Sequence, residues 1–578
     1  MDDRSLRENR KAISREEWRF VWFVVATVLV LTSLPYLYGY WSSPADKQFM
    51  GLMLDIPDHG QYLSWWRGFQ SSLLISNKLT PEPNKPLFFN LLWWSLAQVS
   101  RWTGLGHAPV YQAFRWLAAG SFLWATYRLI AVFLLDVRQR RTAFLLVAFS
   151  SGLGWLLVVL KYAARAWTGG ELLFPLDVYV AEGNSFLCIL GYPHFALAGT
   201  FIALTLEFIW WGWKESKTKP MVVAGVLALL LGWQHAYDLL IVYSVMGTFA
   251  FLIWWKGRKF PWRLFWGGVI VCALSCSGAV YSVILTTSDP LWEEVLAQFA
   301  NGGVYTPSPP HLIILFGWPL VLAVVEWVEL AWRKRGRLIR WSDEDLFVGG
   351  WFLVGAMLNY IPTDFQIHML NSWQIPMMIL ATKGLHGLVA PACVKWLPVS
   401  SERVLRWVVV AFVVAVLPTN LYLLAWRFVD LSRADYPYFL HRGEVAALEW
   451  LGENTEPEEI VLSALTTGQY IPGLSGNTAF LAHWAQTVEF YDKRDRVARF
   501  FTADTPDNER MNTVCSFGVD YVLYGPAERA LGDYEPANAR WLALAFSVPQ
   551  VEVYRVQDDA LSQVVRSGGV PCRIPIVR

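Results

Sequence analysis

The fold is decided first by residues 18–40, which read WRFVWFVVATVLVLTSLPYLYGY. Arg19 carries the one charge in this stretch, and a helix of about 20 such residues crosses the hydrocarbon core of a bilayer. The apolar run is long and has no small-residue cleavage site before the next polar stretch. It therefore predicts a retained membrane-spanning helix and not a cleavable signal peptide.

The composition extends this prediction to most of the chain. Of its 578 residues, 55% are hydrophobic and only 16% are charged, whereas soluble globular chains carry about 25% charged residues. The chain also holds 33 Trp, whose indole rings favour the membrane–water interface. A net charge of +1 provides no long-range attraction to nucleic acid, so we exclude nucleic acid as a partner.

We expect an all-α polytopic membrane domain with about eleven spanning helices. The predicted spans are 18–40, 111–135, 142–162, 191–213, 220–235, 236–255, 264–286, 310–332, 346–361, 372–392 and 404–427. One further stretch, 86–102 (PLFFNLLWWSLAQVSRW), is about 17 residues long and contains Asn90, Gln98 and Arg101. We interpret it as a helix lying in the membrane interface.

Basic residues predict the orientation. The Arg and Lys clusters at 4–15, 138–141, 214–219, 256–263, 333–340 and 395–406 all fall on one side when the chain has eleven spans, and that side is the cytoplasm. The predicted order is a cytoplasmic N-terminal tail at 1–17, a transmembrane domain at 18–429 with a first outer loop at 41–110, and an extracytosolic domain at 430–578. The expected location is the cell membrane.

The C-terminal segment alternates helix and strand signals. Helices are predicted at 443–452, 485–501 and 508–517, and strands at 460–465, 478–482, 520–524 and 551–556. This pattern is typical of a small α/β domain. Cys515 and Cys572 both fall in it and could pair, but spacing alone leaves the pairing open.

Candidate site residues collect at the predicted outer ends of the spans, where ionisable groups are costly and therefore informative. The first loop contains Asp55, Asp58, His59 and Tyr62, followed by the cations Arg67 and Lys85; His194 opens the fourth span, and His235 and Asp238 lie in the turn between the fifth and sixth. Each also has a structural interpretation: the carboxylates as helix caps, the histidines as interface residues, and the cations as side chains that snorkel to the membrane surface.

Several stretches resemble the GT-C membrane glycosyltransferases, a group that includes protein O-mannosyltransferases, aminoarabinose transferases and oligosaccharyltransferases. The stretches are Pro57-Asp-His-Gly-Gln-Tyr-Leu-Ser-Trp-Trp-Arg, Glu82-Pro-Asn-Lys-Pro-Leu-Phe-Phe-Asn-Leu-Leu, Gly191-Tyr-Pro-His-Phe-Ala-Leu-Ala, His235-Ala-Tyr-Asp, Ala482-His-Trp-Ala-Gln-Thr and Asp520-Tyr-Val-Leu-Tyr-Gly-Pro-Ala-Glu-Arg. The first loop departs from the family pattern. It has no Asp-Glu or Asp-x-Asp pair, and one Pro replaces the common Pro-Pro, which leaves metal use and acceptor class open.

The resemblance implies inverting transfer of a sugar from a polyprenyl-phosphate donor to a glycan, lipid or protein acceptor at the outer membrane face. It implies Asp58 as general base with Asp55 as its substitute, Lys85 and Arg67 as phosphate contacts, and five residues lining the site: His59, Tyr62, His194, His235 and Asp238. No cofactor is assigned with certainty. A divalent metal, if used, would take its ligands from Asp58, His194, His235 and Asp238.

Two other function classes stay open. One is a secondary transporter, although no internal repeat is visible and the polar groups lie at the outer ends of the spans and not at the midplane. The other is a non-catalytic membrane scaffold whose C-terminal domain binds a partner.

Overall fold

Long apolar helices make up most of the chain in the computed structural model, which describes residues 13–168, 178, 180–301, 305–396 and 399–557. Within these residues seven helical stretches are long and apolar enough to cross a membrane, and two bent pairs bring the number to nine. The seven are Arg15–Trp41, His107–Phe133, Val137–Trp167, Pro193–Lys214, Ala236–Gly257, Trp262–Ser288 and Gln374–Val394. The chain is a multi-pass membrane protein with an α-helical membrane domain.

The two bent pairs have local causes. Pro309–Phe316 and Trp318–Arg333 meet at 115°, where Gly317 adopts a positive φ of 61° and Pro319 follows in the next turn. Ser401–Ala415 and Pro418–Ser432 meet at 41°, with the break just before Pro418. Each pair covers one predicted span.

The remaining two predicted spans form shorter helices. Thr218–Gln234 has 17 residues and Asp343–Leu358 has 16, so both fall below the length of the other spans. The first ends where His235 leaves helical geometry, and the second begins at a Ser342 cap whose hydroxyl accepts from the Asp345 N–H. Structure and sequence therefore agree on the helices and differ in how many are of full spanning length.

The chain divides into two compact units. The first comprises Met1–Pro35, Gln112–Ser282 and Val304–Phe428, and the second comprises Tyr36–Tyr111, Val283–Gly303 and Val429–Arg578. Further helical segments of the first unit are Ser185–Gly191, Ala181–Gly183, Leu338–Arg340 and Gln366–Leu370, together with a π-helical turn at Leu385–Val389. The first loop thus shares a unit with the C-terminal segment, a grouping that the sequence did not indicate.

The second unit contains a mixed five-stranded sheet. Its strands are β3 (Ile460–Leu462), β4 (Thr478–Ala479), β5 (Val519–Tyr524), β6 (Leu542–Val548) and β7 (Val551–Val556), in the order β4-β3-β5-β7-β6. The pairs β3–β4 and β3–β5 are parallel, whereas β5–β7 and β6–β7 are antiparallel. The helices of this unit include Ile56–Phe69, Leu91–Thr103, Pro290–Asn301, Arg442–Asn454, Leu465–Gly468, Ile471–Leu474, Phe490–Phe500, Asp507–Phe517 and Pro526–Arg529. The predicted small α/β domain is confirmed.

A two-stranded ribbon joins the first loop to the C-terminal segment. Strand β1 (Lys47–Phe49) runs antiparallel to β2 (Phe439–His441), with Lys47 opposite His441 and Phe49 opposite Phe439. The rings of Phe49 and Phe439 lie 5.3 Å apart and both are buried. This apolar contact anchors the ribbon, because one two-stranded pairing is only marginally stable in water.

The predicted interfacial segment forms the helix Leu91–Thr103. Asn90 caps it by accepting the backbone N–H groups of Leu92 and Trp93. Its 13 residues extend about 20 Å, which is shorter than the ~30 Å hydrocarbon core. Its position in the membrane interface stays a prediction.

Candidate active site

Asp58 lies in the first turn of the helix Ile56–Phe69. Asp55 precedes that helix in a left-handed conformation with φ 43°, and Pro57 occupies the first turn, where its missing N–H costs nothing. A carboxylate in this turn faces the positive end of the helix dipole. The Asp58 side chain keeps 36% of its surface exposed, so it is accessible from outside the protein.

His483 from the C-terminal segment contacts this carboxylate. Its Nε2 lies 3.0 Å from Asp58 Oδ1, and the His483 side chain is only 3% exposed. The other ring nitrogen, Nδ1, accepts the backbone N–H groups of Ala485 and Gln486 at 3.0 and 3.1 Å. A buried imidazole with both nitrogens engaged therefore holds one oxygen of a partly exposed carboxylate.

The loop 482–487 that carries His483 is fixed by its own hydrogen bonds. The Thr487 hydroxyl accepts the backbone N–H groups of Ala482 and His483, and donates to the carbonyl oxygen of Leu79 in the first loop. Asn77 of the first loop donates to the Gln486 carbonyl oxygen at 3.0 Å. These bonds place the loop against the first loop without a regular secondary structure.

His59 and Tyr62 lie on the same helix as Asp58 but contact other groups. His59 is buried, with Nδ1 2.9 Å from the Asp55 carbonyl oxygen and Nε2 2.8 Å from the Tyr111 hydroxyl. The Tyr62 ring stacks on Trp93 at a centroid distance of 4.4 Å. His59 thus ties the start of the helix in place, while Tyr62 and Trp93 form an aromatic pair beside it.

The helix Ile56–Phe69 approaches the C-terminal segment closely. A Cβ atom at Gly60 would lie 2.6 Å from the carbonyl oxygen of Gln469, and one at Gly473 would lie 2.7 Å from Leu63 Cβ. Since real Cβ atoms do not approach other atoms so closely, both positions require glycine as long as the two backbones stay in place. The close approach keeps Asp58 near the segment that carries His483.

The two predicted phosphate contacts differ in their surroundings. The Arg67 guanidinium is exposed and lies 3.4 Å from the Ser475 carbonyl oxygen. Lys85 is also exposed, and none of the ion pairs found within the described residues includes it. Lys85 therefore has the more available charge of the two.

A buried ion pair includes Glu82, which lies three residues before Lys85 in the chain. Lys493, whose side chain is 0% exposed, pairs with Glu82 at 2.6 Å and also donates to the Val488 carbonyl oxygen. The Glu82 carboxylate accepts from the Thr80 hydroxyl as well. This pair fastens the residues just before Lys85 to the helix Phe490–Phe500.

The second unit contains two buried glutamates, Glu444 and Glu528. Burial raises the pKa of Glu528 to about 7, although its oxygens accept the backbone N–H groups of Ala464 and Gly525. Burial also raises the pKa of Glu444, which accepts from the Tyr436 hydroxyl and the His441 N–H. In both cases loss of hydration disfavours the charged form more than the hydrogen bonds favour it.

The first unit brings the other predicted residues together. His235 Nδ1 lies 3.3 Å from Asp238 Oδ2, which also accepts from Asn371 at 3.1 Å, and the rings of His194 and His235 are 5.4 Å apart. Next to them, His368 bonds to Glu182 and stacks on Tyr237 at 4.6 Å. We name this group the histidine cluster: Glu182, His194, His235, Asp238, His368 and Asn371.

A metal site is not evident among the described residues, since no group of three or more His, Cys, Asp or Glu side chains stands close enough to hold an ion. Asp58 with His483 offers two ligating groups. Two ligating groups are fewer than a protein metal site uses, so the described residues at this point do not fit a metal.

His483, which contacts Asp58, and Glu182 and Asn371 of the histidine cluster were not predicted from sequence. His483 stands in the quoted stretch Ala482-His-Trp-Ala-Gln-Thr, but its distance from Asp58 along the chain hid the contact. Glu182 lies before the predicted fourth span, and only its burial beside His368 identifies it. The available sequence signal for His483 was its position as a polar residue between the apolar residues 479–482 and 484–485.

Cys515 is disulfide-bonded. Cys572, with which the sequence left a pairing open, lies outside the described residues.

No protein-family model matches the chain, and no curated protein matches it by sequence. Among solved structures it is similar to an oligosaccharyltransferase from Archaeoglobus fulgidus in complex with zinc and sulfate, with 12% identity and a TM-score of 0.53 over 93% of this chain and 73% of that one. It is also similar to ArnT from Cupriavidus metallidurans in the apo state, with 12% identity and a TM-score of 0.46 over 92% of this chain and 97% of that one. The first likeness confirms the predicted GT-C-like fold.

Proposed function

We propose that this chain is a membrane glycosyltransferase that moves a sugar from a polyprenyl-phosphate donor to an acceptor at the extracytosolic face. The observation that carries the proposal is the partly exposed Asp58 carboxylate, held by a buried imidazole at the start of a helix. The GT-C-like fold, which the chain shares with an oligosaccharyltransferase, supports the same class of reaction.

The proposed reaction is a single inverting displacement. The acceptor hydroxyl oxygen attacks the anomeric carbon, its proton passes to the Asp58 carboxylate, and the bond from the anomeric carbon to the phosphate oxygen breaks. The phosphate leaves with the electron pair, and an exposed cation such as Lys85 stabilises its added charge. Asp55 is the substitute base, because it lies three residues before Asp58.

The extracytosolic location of the site is part of the proposal. The basic clusters support it because they all fall on the opposite side of the predicted spans. The disulfide at Cys515 supports it as well, since disulfides persist in oxidising compartments outside the cytoplasm.

The test compares three carboxylate variants of the full chain in lipid nanodiscs. A panel of undecaprenyl-phosphate-linked hexoses and pentoses serves as donor probes, with a cell-envelope fraction as the source of acceptor. Release of undecaprenyl phosphate is measured. We expect Asp58→Asn to lower turnover by about 10²–10⁴ while it binds donor as the parent does.

The matched control is Asp46→Asn, which removes another carboxylate of the first loop that is largely exposed and has only a 3.8 Å contact to His441. It should transfer sugar at the parental rate. Parental turnover in Asp58→Asn would remove Asp58 from the mechanism. Loss in Asp55→Asn alone would move the base three residues upstream and leave the transferase proposal standing.

A second candidate function is transport, favoured by the histidine cluster. Glu182 and Asp238 are buried carboxylates paired with histidines in the membrane-spanning unit, and such groups are expensive unless they serve an ion or proton path. Proton flux into proteoliposomes that stops in Asp238→Asn, with no transfer from any donor probe, would favour this candidate over the transferase.

A further inference from the structure

His483 has different partners at its two ring nitrogens. The N–H groups of Ala485 and Gln486 both point at Nδ1, and an N–H group donates only to a nitrogen that carries a lone pair. Nδ1 is therefore unprotonated, and the proton of the neutral ring lies on Nε2. Nε2, which carries that proton, lies 3.0 Å from Asp58 Oδ1.

We propose that His483 is a positioning residue for the transferase, which donates its Nε2–H to Asp58 and leaves the negative charge on the carboxylate. The inference rests on the proposed function, in which Asp58 is the general base. A carboxylate with one anchored oxygen presents its lone pairs in a fixed direction, which a general base requires to meet the acceptor hydroxyl. His483 gives up no proton in this role.

Burial distinguishes positioning from catalysis. Only 3% of the His483 side chain is exposed, whereas Asp58 keeps 36%, so an acceptor can reach the carboxylate but not the imidazole. The hydrogen bonds of Thr487 to the backbone of the same loop and to Leu79 fix the imidazole in turn. The C-terminal segment thereby supplies part of the site, and the first loop does not complete it alone.

Two substitutions separate the ring's two contacts. In His483→Asn the amide oxygen takes the place of Nδ1 and accepts the two loop N–H groups, but the side chain is too short to reach Asp58. In His483→Gln the amide nitrogen reaches the place of Nε2 and donates to Asp58, while the acceptor for the loop is lost. The Asn variant thus keeps the loop and loses the positioning contact, and the Gln variant does the reverse.

Both variants are assayed in nanodiscs by release of undecaprenyl phosphate from the same donor panel. We expect His483→Asn to lower kcat about tenfold to a hundredfold, which is the range for a hydrogen bond to a charged group, with KM for the donor unchanged. The acid limb of the pH–rate profile of His483→Asn should move to higher pH, because the lost hydrogen bond favoured the ionised form of Asp58. His483→Gln should recover part of kcat and return the limb towards the parental position.

Parental kcat and pH profile in His483→Asn would overturn the positioning role, and so would equal losses in the two variants. Parental activity in Asp58→Asn would instead overturn the proposed base, and this role with it. The two failures are therefore distinguishable.

A readout that needs no substrate is the tautomer. The full chain, labelled with 15N-histidine, is measured at pH 8, and the His483 resonances are identified among its 9 histidines by their loss in His483→Asn. We expect a protonated Nε2 and an unprotonated Nδ1. The reverse tautomer would overturn the inference.

Discussion

Replacing Glu82 by Gln removes the carboxylate that pairs with the buried ammonium of Lys493. Breaking a buried ion pair by changing one partner costs about 3–5 kcal/mol, because the other charge stays desolvated. Glu82 retains 28% exposure, which places the expected cost near the lower end, at about 3 kcal/mol. For a unit of this size that loss corresponds to a fall of roughly 6–12 °C in the unfolding midpoint.

The assay is thermal unfolding of the full chain in nanodiscs, followed by tryptophan fluorescence. Asp492→Asn is the matched control, since it breaks the exposed pair between Asp492 and Arg496 on the same helix as Lys493. That pair should contribute less than about 1 kcal/mol. Adding Lys493→Met to Glu82→Gln should recover at least half of the lost stability, because it removes the unpaired charge.

Two results would refute this reasoning. One is a Glu82→Gln protein that unfolds within about 2 °C of the parent. The other is a double variant, Glu82→Gln with Lys493→Met, whose loss of stability equals the sum of the losses in the two single variants. Effects at independent sites add, whereas effects at coupled sites do not.

Three further predictions concern the donor, pH and orientation. Lys85→Ala should weaken binding of undecaprenyl phosphate about tenfold to a hundredfold, and Lys85→Arg should not. Lys78→Ala is the control, because Lys78 already pairs with Glu458. Equal binding in all three variants would show that Lys85 does not contact the phosphate. Since burial raises the pKa of Glu528 from 4.5 to about 7, its contribution to stability is complete below pH 4.5 and is lost as the pH rises through about 7. The loss of about 3 kcal/mol should appear as a falling unfolding midpoint across that window and should be absent in Glu528→Gln; a parental pH dependence in the variant would contradict it. A reporter fused after Arg141 should be cytoplasmic and one fused at the C-terminus extracytosolic, and an extracytosolic reporter at Arg141 would mean that residues 86–102 cross the membrane.

Elements with a clear periodic pattern could be predicted from the sequence. Strands β5 and β7 lie where alternating β-branched and aromatic residues predict them, and most apolar stretches are helices of spanning length. Strand β6 (Leu542–Val548) was missed because LALAFSV has little alternation. It forms by pairing with β7 across the Pro549–Gln550 turn, in which Gln550 has a φ of 69°.

The site could be predicted only in part. Asp58 stands out because it is an ionisable residue of the loop after the first spanning helix, but its contact with His483 joins residues more than 400 positions apart. The predicted helix 485–501 begins only at Phe490, since His483 and Thr487 hold residues 482–487 as a loop and Glu489 takes a left-handed conformation. Local propensity thus failed at the loop that supports the candidate base, where tertiary contacts determine the backbone.

The β1–β2 ribbon can form only late in translation, because its two strands are far apart in the chain. About 390 residues separate Phe49 from its partner Phe439, and a ribosome that adds roughly 5–20 residues per second needs about 20–80 s to cover that distance. During this interval the segment with Asp58 has left the ribosome without β2 or the His483 loop to pair with. The Asp58 carboxylate therefore gains its contact with His483 only after the last predicted membrane helix has been made.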